Sequence, residues 1–86
     1  MSHKSYYWLK NPFVSELTAG SGYYWIYINE EIFPTQLCWC KFEGSNITFY
    51  NSVRDKIGDV LTARKMGHNV YIYSEKVIKP NNSISN

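Results

Sequence analysis

The sequence lacks a long apolar run and a strongly basic segment, and both absences bear on function. No stretch approaches the ~18 apolar residues of a transmembrane helix, so we expect no membrane span. The longest basic run is Arg64-Lys65, and the formal net charge of the 86 residues is +2. Because nucleic-acid binders usually carry a strongly basic face, this balance makes nucleic acid the less favoured partner.

Cysteine is also scarce, with Cys38 and Cys40 alone and one residue between them. On a strand their Cα atoms would lie about 6.6 Å apart, and a bridge between them would need distorted geometry. We therefore expect free thiols, which favour a reducing compartment. The N-terminus shows no charged start followed by an apolar segment, so we expect a cytoplasmic chain or one whose signal has been removed.

Residue types that perform catalysis occur without the partners they need. His3 is expected in a mobile terminus and His68 at a helix end, where a dipole role is favoured over general-base chemistry. Cys38 and Cys40 lack the second pair of ligands that a zinc site requires. There is no glycine-rich phosphate loop or nucleophile elbow. We predict a protein that is not an enzyme and uses neither cofactor nor metal.

Aromatic residues are abundant, with 8 Tyr, 4 Phe and 3 Trp making up 17% of the chain. Together with β-branched residues they predict strands over 13–18, 23–29, 37–42, 47–50 and 70–75. Ser52 and Asp55 resemble a capping box, which predicts one helix over about 52–66 before the last strand. Its buried stripe is expected to contain Val53, Ile57, Val60 and Leu61.

These elements predict a single α+β domain over residues 1–86, with loose termini at 1–11 and 79–86. We expect a small antiparallel sheet of four to five strands with the one helix closing its core. Alternation places one set of strand residues against this helix: Tyr24, Ile26, Ile28, Cys38, Cys40, Phe42, Val70 and Ile72.

The opposite side of the predicted sheet collects an unusual number of rings. Three interpretations apply: a second core, an oligomer or protein-partner interface, and a platform that stacks on bases or sugar faces. Leu37 lies among these rings. The candidate binding residues are Tyr23, Trp25, Tyr27, Trp39, Tyr71 and Tyr73.

Several segments, in order, resemble the B subunits of AB5 toxins, most closely the subtilase-cytotoxin and typhoid-toxin branch. They are the run 13–20, the aromatic strand 23–28, the strand around Cys38, Phe49-Tyr50 before the helix, and 67–73 after it. The resemblance covers roughly residues 13–78. It implies an OB-like barrel with one helix, a ring of five subunits, secretion, and binding of cell-surface glycans without catalysis.

The favoured hypothesis is therefore a non-enzymatic module that assembles with itself or a protein partner, with a glycan as the ligand that the resemblance implies. The alternative is a small intracellular inhibitor or adaptor of the phage or bacterial type. A third hypothesis is single-strand nucleic-acid binding through the rings together with Lys41, Arg54 and Lys76, with affinity that falls steeply with salt.

Overall fold

A computed structural model describes residues 6–28 and 34–78, which form one antiparallel sheet and one short helix. The elements are β1 (Trp8–Lys10), a 3-10 turn (Val14–Glu16), β2 (Gly22–Ile28), β3 (Gln36–Glu43), β4 (Asn46–Tyr50), β5 (Lys56–Asp59), α1 (Val60–Lys65) and β6 (Val70–Tyr73). The sheet order is β1-β6-β2-β3-β4-β5. The predicted antiparallel sheet with one helix is confirmed, but this part of the chain has six strands, not four to five. No helix in the described ranges is long and apolar enough to cross a membrane.

The N-terminal region differs from the prediction in two places. Trp8–Lys10, expected within a loose terminus at 1–11, pairs with β6 as an edge strand. The Asn11 amide adds a hydrogen bond to the Val70 carbonyl oxygen at 2.7 Å. The strand predicted over 13–18 is wrong, because the Glu16 carboxylate accepts from the Phe13 amide at 2.9 Å and fixes a tight turn there. Residues 1–5 and 79–86 lie outside the described residues.

The predicted helix start at Ser52 is also wrong. The side-chain oxygen of Asn51 accepts hydrogen bonds from the backbone amides of Val53 and Asp55, at 3.0 and 2.9 Å. This arrangement is an Asx-type turn, and it competes with helix for the same amides. Val53 is 71% exposed, so it does not belong to a buried stripe. The chain then continues as β5, which pairs with β4.

The helix begins one strand later, where Asp59 is its N-cap and accepts from the Thr62 amide at 2.8 Å. Burial would raise the pKa of Asp59, but the hydrogen bonds from Thr62 and Asn46 and the charge of Lys56 together lower it. Val60 and Ala63 face the core. Two other members of the predicted stripe differ from the prediction: Ile57 packs against the core from β5 and not from the helix, and Leu61 is an exposed helix residue.

The predicted core side of the sheet is confirmed. Its buried members are Tyr24, Ile26, Cys38, Cys40, Val70 and Ile72, and Ile28 and Phe42 pack against them. Leu17, Ile47, Phe49, Val60 and Ala63 complete the cluster. Both cysteines are free and buried, and burial raises the pKa of the Cys38 thiol to about 12 and that of Cys40 still further. This side of the sheet is a complete hydrophobic core.

An open aromatic face with a cationic pocket

The opposite side of the sheet carries a row of rings that crosses five strands. Directly paired residues on neighbouring strands point to the same side, so the strand register shows which residues share this face. Tyr23 is paired with Trp39, and Trp39 with Tyr50. None of these side chains is buried. We call this side the open face; its rings and its one leucine are Trp8, Tyr23, Trp25, Tyr27, Leu37, Trp39, Tyr50, Tyr71 and Tyr73.

The exposure of these residues bears on the interpretation of the aromatic side as a second core. A second core would bury the rings, whereas all nine residues are half-buried or exposed, and Trp25 is 42% exposed. The residues that the structure describes therefore do not bury this side as a second core would. All six predicted site residues lie on the open face. Five of them belong to two groups with different surroundings, and Trp25 lies on β2 between Tyr23 of one group and Tyr27 of the other.

The first group, which we call the ring cluster, consists of Trp8, Tyr27, Tyr71 and Tyr73. The Tyr27 and Tyr71 rings stack with their centroids 4.8 Å apart and an angle of 9° between their planes. Trp8 meets Tyr27 edge-on at 4.9 Å and Tyr73 at 5.2 Å. These distances are typical of favourable aromatic pairs, so the rings of this group largely cover one another.

The second group borders a partly open cavity of about 500 Å³, within the usual range for small-ligand sites. Tyr23 and Trp39 form one wall, and their rings meet edge-on at 5.3 Å. Lys41 and Arg54 bring two positive charges to the same cavity. We call it the cationic pocket; its lining residues are Tyr23, Trp39, Lys41, Tyr50, Asn51, Ser52 and Arg54.

The turn after β4 positions the charged side of this pocket. Asn51 holds the turn through its side chain, and Arg54 within it has φ +67°, a left-handed conformation that costs energy for any residue except glycine. The pairing of β4 with β5 shifts register between Phe49 and Tyr50. A register shift of this kind bends the strand and re-aims the side chains that follow. The turn therefore carries Arg54 to the border of the open face.

Two ion pairs lie beside the pocket. Lys41 contacts Glu43 at 3.4 Å, and Lys56 contacts Asp59 at 3.6 Å. A hydrogen bond from Thr48 and then one from Lys41 lower the pKa of Glu43, so this carboxylate is ionised at neutral pH. Neither pair involves Arg54, and no carboxylate is among the residues that line the cavity.

Sequence reasoning missed part of this site. Trp8 lies in the segment predicted as a loose terminus, although it alternates with Lys10 about the half-buried Leu9. The predicted site does not contain Asn51, and Ser52 lies in the predicted helix, although an Asn at the end of a strand is a frequent turn former. Within 6–28 and 34–78, no three His, Cys, Asp or Glu residues are grouped so that they could hold a metal ion.

Comparison with known proteins gives no match to a protein-family model, to a characterised protein or to a solved structure. The resemblance to toxin B subunits, with the ring and the glycan ligand that it implies, stays a prediction. The function must therefore be inferred from the residues of the open face.

Proposed function

We propose that this protein is a non-enzymatic binding module that holds its ligand on the open face. The observation that supports this most directly is the contrast between a complete core on one side of the sheet and uncovered rings on the other. Tyr and Trp combine a large apolar body with a polar tip, which suits a surface that exchanges water for a ligand. A contiguous exposed apolar patch of this kind typically marks an interaction site.

We also propose that the sheet is OB-like. The strands β2, β3 and β4 form a meander, the helix precedes β6, and β6 returns to pair with β2. The pairing of β6 with β2 extends the sheet beyond the meander, and the sheet would close into a small barrel if its end strands β1 and β5 met. The meander also places Tyr23, Trp39 and Tyr50 side by side, at one end of the open face.

Intrinsic fluorescence tests the proposal directly, because all three tryptophans of the chain lie on the open face: Trp8, Trp25 and Trp39. We expect a neutral quencher such as acrylamide to reach them, and we expect one member of a ligand panel to change their emission. The panel contains an oligothymidylate, 3′-sialyllactose and a neutral oligosaccharide. Phe13→Ala, a change at an exposed ring outside the open face, serves as the control and should leave the binding unchanged.

Tryptophans that acrylamide cannot reach would contradict the proposal, since another chain or segment would then cover the face. The proposal is also contradicted if no panel member changes the emission. Trp25→Ala and Trp39→Ala are expected to give folded protein with reduced ligand response, which separates a binding surface from a second core.

A second candidate function is self-assembly, and the sheet edges favour it. In the described residues β1 lies at one end of the sheet and β5 at the other, so each has a side that pairs with no strand there. Contact between the β1 edge of one subunit and the β5 edge of the next would be heterologous, and such contacts form a ring when the rotation between subunits closes. Light scattering should give five times the monomer mass for the toxin-like ring, and a strict monomer would contradict it. A monomer that binds another protein would favour the inhibitor or adaptor hypothesis.

A further inference from the structure

We infer that the ligand of the open face is single-stranded nucleic acid, with a phosphate between Lys41 and Arg54 and neighbouring bases on Trp39 and Trp25. This inference rests on the proposed function and names the chemistry of its ligand. It follows from the charges around the open face, the shape of the cationic pocket and the spacing of the rings.

The charges that the register and the pocket assign to the open face are net positive. By register with Tyr71 and Tyr50, Lys10 and Lys56 lie on the same side as the rings, and Lys41 and Arg54 border the pocket. Two carboxylates, those of Glu43 and Asp59, offset two of these four cations. The remaining surplus of two positive charges is as large as the formal net charge of +2 of the whole chain, and its position on one face favours an anionic partner.

The cationic pocket suits a phosphate group. Arginine presents a planar fork of donors that matches phosphate oxygens two at a time, and lysine adds a mobile point charge. Arg54 lies between Val53 and Asp55, whose amides are already bonded to Asn51, so the backbone of this turn needs little further ordering on binding. The Ser52 hydroxyl, which also lines the pocket, offers a further neutral donor.

The rings beside the pocket suit successive bases. Trp39 and Tyr23 form one wall of the cavity, and Trp25 lies two residues beyond Tyr23 on β2, about 7 Å further along at the usual rise of a strand. None of the ring contacts between described residues involves Trp25, so its face is available. Stacking on such rings requires unpaired bases, because the bases of a duplex are already stacked.

A nucleic-acid strand fits the pocket together with Trp25 better than an acidic sugar does. A single acidic sugar would use the pocket, but it would leave Trp25 without a role. A strand carries a base beside each phosphate, as the open face carries Trp39 and Trp25 beside the two cations of the pocket. The exposed Trp25 next to the pocket therefore favours the strand.

Fluorescence anisotropy with the full chain tests the inference. The probe is a fluorescein-labelled oligothymidylate of about ten nucleotides, titrated at about 50 mM and about 200 mM salt. Arg54→Gln is compared with Arg64→Gln, a matched change on an exposed helix residue. Trp39→Phe and Trp39→Ala are compared with Phe13→Ala, and circular dichroism confirms folding of each variant.

We expect Trp39→Ala to weaken binding by about 5- to 150-fold, with Trp39→Phe intermediate. We expect Arg54→Gln to weaken it by roughly 10-fold or more and to reduce the salt slope by about 0.7. Arg64→Gln and Phe13→Ala should change the affinity less than about 2-fold. If Trp39→Ala fails to fold, Trp39→Phe and Arg54→Gln still decide the result.

Three results would overturn the inference: no binding of the oligothymidylate, binding that Arg54→Gln leaves unchanged, or equal losses in Arg54→Gln and Arg64→Gln. If 3′-sialyllactose binds instead and Trp39→Phe weakens it, the proposed function holds while the nucleic-acid ligand is wrong. If neither probe binds and acrylamide cannot reach the tryptophans, both proposals are wrong.

Discussion

The two sides of the sheet are built from the same strands, yet they differ in chemistry and in exposure. On β2, Tyr24 and Ile26 are fully buried, whereas Tyr23 and Tyr27 are half-buried and Trp25 is exposed. Tyrosine occurs on both sides, so residue type alone does not decide burial. The difference is that the core side is closed by the helix and the open face has no layer over it in the described residues.

The largest expected difference between the two sides is in the cost of deleting a side chain. Ile26→Ala should lower the free energy of unfolding by about 2–5 kcal/mol, because it leaves a cavity in a packed core. Trp25→Ala, at the neighbouring position, should lower the free energy of unfolding by less than about 1 kcal/mol, although it removes more atoms. Urea denaturation followed by circular dichroism measures both. An equal cost for the two variants would show that the open face is covered in solution.

The alternation of strand residues was enough to predict which residues share a face. This succeeds because the two-residue period is local: once 23–29 is a strand, Tyr24 and Ile26 must share one side and Trp25 the other. Trp8–Lys10 could not be predicted in the same way. A three-residue edge strand exists because β6 supplies its partner, and that pairing joins residues about 65 apart in the chain, as Trp8 with Tyr73.

The helix start is predicted wrongly and the pocket is not predicted at all, and the two have a related reason. The spacing of Ser52 and Asp55 fits a capping box, but the same amides can bond to Asn51, and the structure contains that alternative. Which local pattern forms depends on the pairing of β5 with β4, which the sequence pattern does not reveal. The sequence groups Lys41 and Arg54 with Lys76 and the rings only as a hypothetical nucleic-acid surface, without their positions. That Lys41 and Arg54 border one cavity with Trp39 follows from this turn.

A smaller effect compares two adjacent tyrosines on opposite faces. The Tyr24 hydroxyl donates to the Gly20 carbonyl oxygen at 2.7 Å inside the core side. Tyr24→Phe should therefore lower the free energy of unfolding by about 1 kcal/mol, whereas Tyr23→Phe should leave it nearly unchanged. Burial, and then the neighbouring Cys40, raise the pKa of Tyr24 to about 12.

The raised pKa values of Tyr24 and Cys38 also predict how stability depends on pH. Above about pH 9 the unfolded chain loses thiol and then phenol protons that the folded chain keeps, so stability is full below that pH and falls toward about pH 12. Urea midpoints at about pH 8 and about pH 11 measure the loss. Tyr24→Phe should lose less stability over this interval than the wild type, and Tyr23→Phe should match the wild type. An equal loss in both variants would contradict the role of Tyr24.

The smallest expected effect lies within the open face and compares its two ends. Tyr27 and Tyr71 stack as a cross-strand pair at 4.8 Å, so a double-mutant cycle with leucine should give a coupling of roughly 0.2–1 kcal/mol. The same substitutions should leave pocket occupancy by the probe nearly unchanged, because this pair lies outside the pocket lining. A loss of probe affinity as large as that of Trp39→Ala would show instead that the ring cluster also binds the ligand. The two ends would then form one continuous site, and the contrast between covered rings and the cationic pocket would have no functional meaning.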